Sequence, residues 1–137
     1  MPRPDPLGGN PVNVFFDVDH TLVWPTAEAN TLRPYAHEAM KRLKAAGHSV
    51  FVWSAGGQEY VRKTVELHEL TPFVDGCFDK DPRVEPAPDF IIDDDWYLVE
   101  KYGGHLVSQY KAINEHDREL LDAVESLERR LAEHREA

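Results

Sequence analysis

The chain has 137 residues, enough for one domain with a real core and too few for two, and its 42% hydrophobic and 29% charged content is that of a globular, water-soluble protein. A net charge of −10 argues against a general binder of nucleic-acid backbone, which needs Lys and Arg patches, while leaving room for a small local cationic site. No apolar run approaches the roughly 18 residues that span a membrane, and the single cysteine, Cys77, excludes an intrachain disulfide; its apolar flanks predict a buried small side chain.

Residues 1–11, MPRPDPLGGNP, lack the apolar core of a signal peptide and read as a flexible lead-in, which points to a cytoplasmic protein with one domain over 12–137. Val14-Phe15-Phe16 is a short apolar strand that runs into two carboxylates one residue apart, Asp17 and Asp19, with Thr21 in the polar turn that follows. Residues i and i+2 of a strand share a face, so the two carboxylates lean toward one point. With no cation adjacent in sequence, they need a shared proton or a bound metal. Residues 20–31, with Pro25 and small polar side chains, predict an irregular loop over that strand end.

Pro34 suits the first turn of a helix whose buried face is Ala36, Ala39, Met40 and Leu43, closed by Gly47. Ser49-Val50-Phe51-Val52-Trp53 has the near-continuous apolar character of a strand covered on both faces; it ends in Ser54-Ala55-Gly56-Gly57. A second helix follows from Gln58 to Leu70, stopped by Pro72. Gly76-Cys77-Phe78 is a third strand, leading to Asp79-Lys80-Asp81-Pro82, and Phe90-Ile91-Ile92 is a fourth, running into Asp93-Asp94-Asp95. A fifth strand is expected at His105-Leu106-Val107, and from about Glu115 a helix with the stripe Leu120, Val124, Leu127 and Leu131. That leucine spacing would also serve a contact between two copies of the chain.

Strands alternating with helices predict a three-layer α/β/α, Rossmann-like parallel sheet of about five strands. Ligands of such sheets sit beyond the carboxyl ends of the strands. Asp17/Asp19, Ser54, Lys80 and Asp93/Asp94 each fall at the carboxyl end of a different strand, so a parallel sheet brings them to one edge. The set suits phosphoryl transfer. Carboxylates hold a hard cation such as Mg²⁺, Ser54 donates to a phosphate oxygen, the amides of Ala55, Gly56 and Gly57 support an anion, and Lys80 supplies positive charge. Trp24, Pro25, Trp96 and Tyr97 are rim residues that either flank a substrate or pack under neighbouring loops.

Four motifs in order, Asp17-Val18-Asp19-His20-Thr21, Ser54, Lys80 and Asp93-Asp94, each after its own apolar strand, resemble the haloacid dehalogenase-like (HAD) superfamily over about residues 12–107. The resemblance implies a phosphatase in which Asp17 is the nucleophile, forming an aspartyl-phosphate, and a Mg²⁺ ligand. It implies that Asp19 is general acid and then general base, with its backbone carbonyl on the metal. Thr21, Ser54, Ala55 and Lys80 would hold the phosphate, Asp94 would be the further metal ligand, and Asp93 would partner Lys80 from behind. Three departures stand out: His20 occupies a position that is often Gly in the family, Leu98 stands four residues after Asp94 where the family pattern has an Asp, and Arg83 is close enough in sequence to compete with Lys80 for the cationic role.

About 35 residues separate Asp19 from Ser54 and about 26 separate Ser54 from Lys80, too few for a folded cap domain beside the core helices. The chain resembles capless members, whose open clefts suit macromolecular substrates. Residues 32–55 and 103–127 are similar, more softly, to the carboxy-terminal-domain phosphatases, which act on phosphoserine in proteins. The partner implied is thus a phosphorylated protein or small molecule. Polynucleotide ends, small metabolites and a non-catalytic phosphate-binding role are the alternatives.

Overall fold

Alternation along the central strand decides what lies on each side of the sheet. The computed structural model describes residues 11–136, so the lead-in expected over 1–11 lies, apart from residue 11, outside the described residues. In chain order the elements are β1 (Asn13–Asp17), β2 (Val23–Pro25), β3 (Asn30–Leu32), α1 (Ala36–Ala45), β4 (Ser49–Ser54), α2 (Gln58–Leu67), β5 (Gly76–Asp79), β6 (Phe90–Asp93), α3 (Trp96–Tyr102), β7 (Gly104–Leu106) and α4 (Glu119–Glu136). Five of the strands form one sheet in the order β5-β4-β1-β6-β7, with every neighbouring pair parallel.

Val14 and Phe16 of β1, Val50 and Val52 of β4, and Phe90 and Ile92 of β6 face a core closed by α1, α2 and α4. Phe15, Phe51, Trp53 and Ile91 point the other way, into an aromatic cluster with Phe78, Val84, Leu98, Val99 and Tyr102. The three layers are therefore unequal: three helices cover one face, while α3 and the Pro-rich loop cover the other. The Phe15 ring packs at 5.0 Å from both Phe51 and Trp53, so aromatic area does there what a second long helix would otherwise do.

Several boundaries differ from the sequence reading. The loop expected over 20–31 holds an antiparallel hairpin, in which Val23, Trp24 and Pro25 pair with Leu32, Thr31 and Asn30. Its turn is tied by Thr26, whose N–H donates to the Ala29 carbonyl at 2.7 Å and whose hydroxyl accepts from the Ala29 N–H at 3.0 Å. Helix α1 begins after Pro34, with Tyr35 at the cap in the left-handed region (φ 68°). Helix α2 ends at Leu67 rather than Leu70, and Pro72 lies inside a separate 3-10 turn, Thr71–Phe73. Helix α3 was not expected, and α4 starts at Glu119, four residues later than the stripe suggested. Cys77 is half-buried rather than buried, because β5 is an edge strand.

Gly104 is required by close approach: a Cβ there would lie 2.0 Å from the Ile91 carbonyl oxygen. Among the described residues nothing folds into a cap; the hairpin, α1, β4, α2 and the 3-10 turn account for the regular structure between β1 and β5. No helix among them is long and apolar enough to cross a membrane.

Candidate active site

Strand β1 lies at the centre of the sheet, flanked by β4 and β6, so the chain reverses its direction of strand addition at β1, and the site lies at that switch point. The carboxyl ends of β1, β4, β5 and β6 bring Asp17, Ser54, Lys80 and Asp93 together around a cavity of about 500 Å³, also lined by Asp19, Ala55, Asp94 and Trp96.

At its floor, Lys80 Nζ stands 2.9 Å from Asp17 Oδ1 and 2.9 Å from Asp93 Oδ2. The second contact is an ion pair rather than an aligned hydrogen bond, and Asp93 Oδ1 accepts the Asp95 N–H at 3.0 Å. Despite the burial that opposes its charge, the Lys80 ammonium is held above its ordinary range by Asp17 and then Asp93. Arg83 is not part of this arrangement: its side chain is 88% exposed and pairs with Asp81.

Carboxylate oxygens of Asp17, Asp93 and Asp94 all lie within 4.8 Å of one another. Three carboxylates against one ammonium leave excess negative charge at a largely buried cavity floor. Burial, with Asp93 adding to it, pushes the Asp17 carboxyl up to about 8, against the opposing pull of Lys80. Burial also raises Asp93; at Asp94 burial is again the largest single influence, but hydrogen bonds with Asp17, Gln109 and its other neighbours together hold it below the usual carboxylate range. An all-oxygen donor set that takes up a proton in the absence of other positive charge fits a hard divalent cation such as Mg²⁺.

The Asp19 carboxylate is outside that trio. It accepts a hydrogen bond from the Tyr60 hydroxyl, on the first turn of α2. Thr21, expected at the phosphate, is fully buried and does not line the cavity; its hydroxyl lies 3.0 Å from Asp17 Oδ2 and 3.4 Å from Asp94 Oδ1, where it orients both. Ser54 Oγ accepts the Gly56 N–H at 3.0 Å, and the Gly57 N–H donates to the Ser54 carbonyl. Two of the three amides expected to support an anion are thus spent inside the turn. Asp95 caps α3, accepting the Tyr97 N–H at 2.9 Å.

His20 adopts φ 64°, the left-handed region that favours glycine. Its backbone accepts from the Tyr110 N–H at 2.8 Å, and its Nδ1 lies 3.2 Å from the Tyr110 carbonyl, so the ring braces a strained turn. Of the rim aromatics, Trp96 is 64% exposed at the cavity mouth and Tyr97 is exposed beside it, while Trp24 and Pro25 are half-buried in β2.

Three contributors carried no signal in the sequence. Tyr60 is one position of an amphipathic helix. Gln109, whose Nε2 donates to Asp94 Oδ2 at 3.2 Å, lies in a segment without periodicity. Arg33 is buried behind the turn that carries Thr21 and donates to the Thr21 carbonyl at 3.3 Å.

No protein-family model matches the chain. Over 75 residues it is 27% identical to the "Uncharacterized 36.0 kDa protein" of Orgyia pseudotsugata multicapsid polyhedrosis virus, a match that takes in 55% of this chain and 24% of the viral one, so the likeness spans about a quarter of that relative. Among solved structures, the "putative 3-deoxy-D-manno-octulosonate 8-phosphate phosphatase from Vibrio cholerae" superposes with a TM-score of 0.50 at 13% identity, covering 95% of this chain and 88% of that one. At that identity the likeness is one of fold. The shared architecture is a five-stranded parallel sheet with helices on both faces, and among the described residues there is no separate cap.

Proposed function

We propose that this HAD-like fold is a Mg²⁺-dependent phosphomonoesterase working through an aspartyl-phosphate on Asp17. The observation that carries the reading is the setting of Asp17. Its carboxylate ends the central strand at the cavity floor, between the Lys80 ammonium and the Asp93/Asp94 carboxylates, with Asp19 two residues on. The phosphatase named for the Vibrio cholerae structure belongs to the same reaction class.

Asp17 and Asp94 would hold the cation, with the Asp19 backbone carbonyl; when bound it neutralises phosphate charge and keeps Asp17 ionised. An Asp17 oxygen then attacks phosphorus in line as the bond to the leaving oxygen breaks. Asp19 passes its proton to that oxygen, and the alcohol departs. A water next attacks the phosphorus, Asp19 takes its proton, the bond to Asp17 breaks, and inorganic phosphate leaves. Lys80 and Ser54 hold the phosphoryl oxygens, and Thr21 and Asp93 keep Asp17 and Lys80 aimed.

The substrate we propose is a phosphoserine-type protein segment. An uncapped cavity admits a group attached to a chain, and the surplus of carboxylates around it disfavours a polyanionic nucleic acid. The test is phosphate release from p-nitrophenyl phosphate, phosphoserine peptides and 3′-phosphorylated oligonucleotides, with Mg²⁺ and with chelator. Release that needs Mg²⁺ and vanishes in Asp17→Asn supports the reading; full activity in Asp17→Asn overturns the mechanism. Preference for the oligonucleotide over the peptide overturns the substrate class.

A further inference from the structure

We infer that Tyr60 is a positioning residue for the proton step: its hydroxyl, donated to Asp19 Oδ1, turns Oδ2 of the same carboxylate toward the leaving group. The inference rests on the phosphatase reading above and concerns a side chain that the HAD-like motifs do not include.

Three observations support it. Tyr60 is the third residue of α2, and that helix starts directly after the Ser54 turn, so one short segment carries both Ser54, the proposed phosphate contact, and the donor to Asp19. The Tyr60 ring packs against the main core and lies over Gly56 so closely that a Cβ at residue 56 would come within 2.9 Å of Tyr60 Cδ2. Gly56 therefore provides the space for the ring. Among the described residues no other side chain or backbone group bonds the Asp19 carboxylate, so Tyr60 alone selects which of its oxygens remains available.

The physical gain is orientation. A carboxylate free to rotate presents either oxygen in many directions, whereas one oxygen pinned by a rigid aromatic donor leaves the other in a single place. In the first half-reaction the proton on Oδ2 passes to the departing oxygen; in the second, Oδ2 receives the proton of the attacking water. Tyr60 keeps its own proton in both.

The test compares leaving groups. Tyr60→Phe removes the hydroxyl and keeps the ring. Activity is read as kcat/KM, which reports the steps up to loss of the first product, in the presence of Mg²⁺. An alkoxide leaves only with a proton, whereas p-nitrophenolate leaves without one. Tyr60→Phe is expected to lose roughly tenfold or more on an alkyl phosphate and about threefold or less on p-nitrophenyl phosphate, within the range that general acids contribute. In an Asp19→Asn background it is expected to add less than about twofold on either, because the partner through which it acts is gone.

Equal losses on the two substrates, or an undiminished effect in the Asp19→Asn background, overturn the inference while leaving the phosphatase reading intact. Wild-type protein that releases phosphate from neither substrate overturns both. Should Tyr60→Phe fold less completely, the ratio of alkyl to aryl activity within the variant still reads the proton step, since lost folded protein lowers both alike.

Discussion

Arg33 and Asp117, 84 residues apart, close a two-pronged ion pair in which Arg33 Nε donates to Oδ1 at 3.0 Å and Nη2 to Oδ2 at 2.9 Å. Nη2 also reaches Glu119 Oε2 at 2.7 Å, and the guanidinium lies over the Tyr110 ring, 5.4 Å from its centroid. One buried side chain thereby ties the segment after β3 to the start of α4 and supports the turn that carries Thr21 from behind. Breaking a buried pair by removing one partner typically costs about 3–5 kcal/mol, because the remaining charges lose their compensation. Arg33→Met is expected to lower the urea midpoint by a corresponding amount and to lower activity with it. A variant within about 0.5 kcal/mol of wild type would contradict this account of the lock.

Asp17 should make the cation-free protein less stable as pH rises. Its folded carboxyl titrates near 8 against an ordinary 3.8. Between those values the folded state keeps a proton that the unfolded chain has released, so the stabilising contribution is full below 3.8 and is lost as pH rises through about 8. Asp17→Asn has no such proton to lose. In chelating buffer its melting temperature should gain on wild type between about pH 4 and about pH 8. Added Mg²⁺ should raise the melting temperature of wild type and not of the variant. A pH-independent difference between the two would contradict the assignment.

Lys80 and Arg83 separate cleanly in space although they are three residues apart. Lys80→Met strips the cation from between two buried carboxylates and, in the proposed mechanism, removes a contact to the transferring phosphoryl group. A loss of about 100-fold or more in kcat/KM is expected, comparable with losing one preorganised electrostatic donor. Arg83→Ala alters an exposed pair with Asp81 and should stay within about twofold of wild type. Reversal of that order would reassign the cationic role.

Three histidines predict acid sensitivity of the opposite sign to Asp17. Burial is the largest influence on His48, His68 and His105, and all three are lowered from an ordinary 6.5. The folded state resists a proton that the unfolded chain accepts, so their contribution is full above 6.5 and is lost as pH falls through the lowered folded values. His48 is the sharpest case, because its Nδ1 accepts the Val12 N–H at 3.1 Å and cannot do so when protonated. His48→Asn keeps an acceptor without the titration and should reduce the loss of stability between about pH 7 and about pH 5, read from urea midpoints.

Gly104→Ala tests the close approach of β7 to β6. A methyl group 2.0 Å from the Ile91 carbonyl oxygen cannot be accommodated without separating the strands. Destabilisation of several kcal/mol is expected from overpacking and broken ladder bonds, with faster hydrogen exchange at His105 and Leu106. Unchanged exchange there would show that the edge strand shifts freely.

Much of the architecture was legible in the linear chain, for a physical reason. Strands buried on both faces must be apolar along their length, so Val14–Phe16, Val50–Trp53 and Phe90–Ile92 announce themselves, and the polar residue ending each run marks the sheet edge. The order of those runs and the short gaps between them also point to an uncapped α/β sheet. Short or composite elements were less legible. The β2–β3 hairpin has three-residue strands, and α3 is an exposed seven-residue helix whose apolar residues cover the second face beside an unusual aromatic cluster.

What the chain determined by itself was which residue types end which strands, and hence that carboxylates, a hydroxyl and a lysine meet at one edge. Tertiary structure alone decided how they divide the work. It put Lys80 rather than Arg83 on Asp17, drew Asp93 and Asp94 to Asp17, and turned Asp19 away from them to Tyr60. It also placed His20 in a left-handed turn braced by Tyr110. These outcomes depend on distances of a few ångströms between segments far apart in sequence, and residue identity and local periodicity carry no information about such distances.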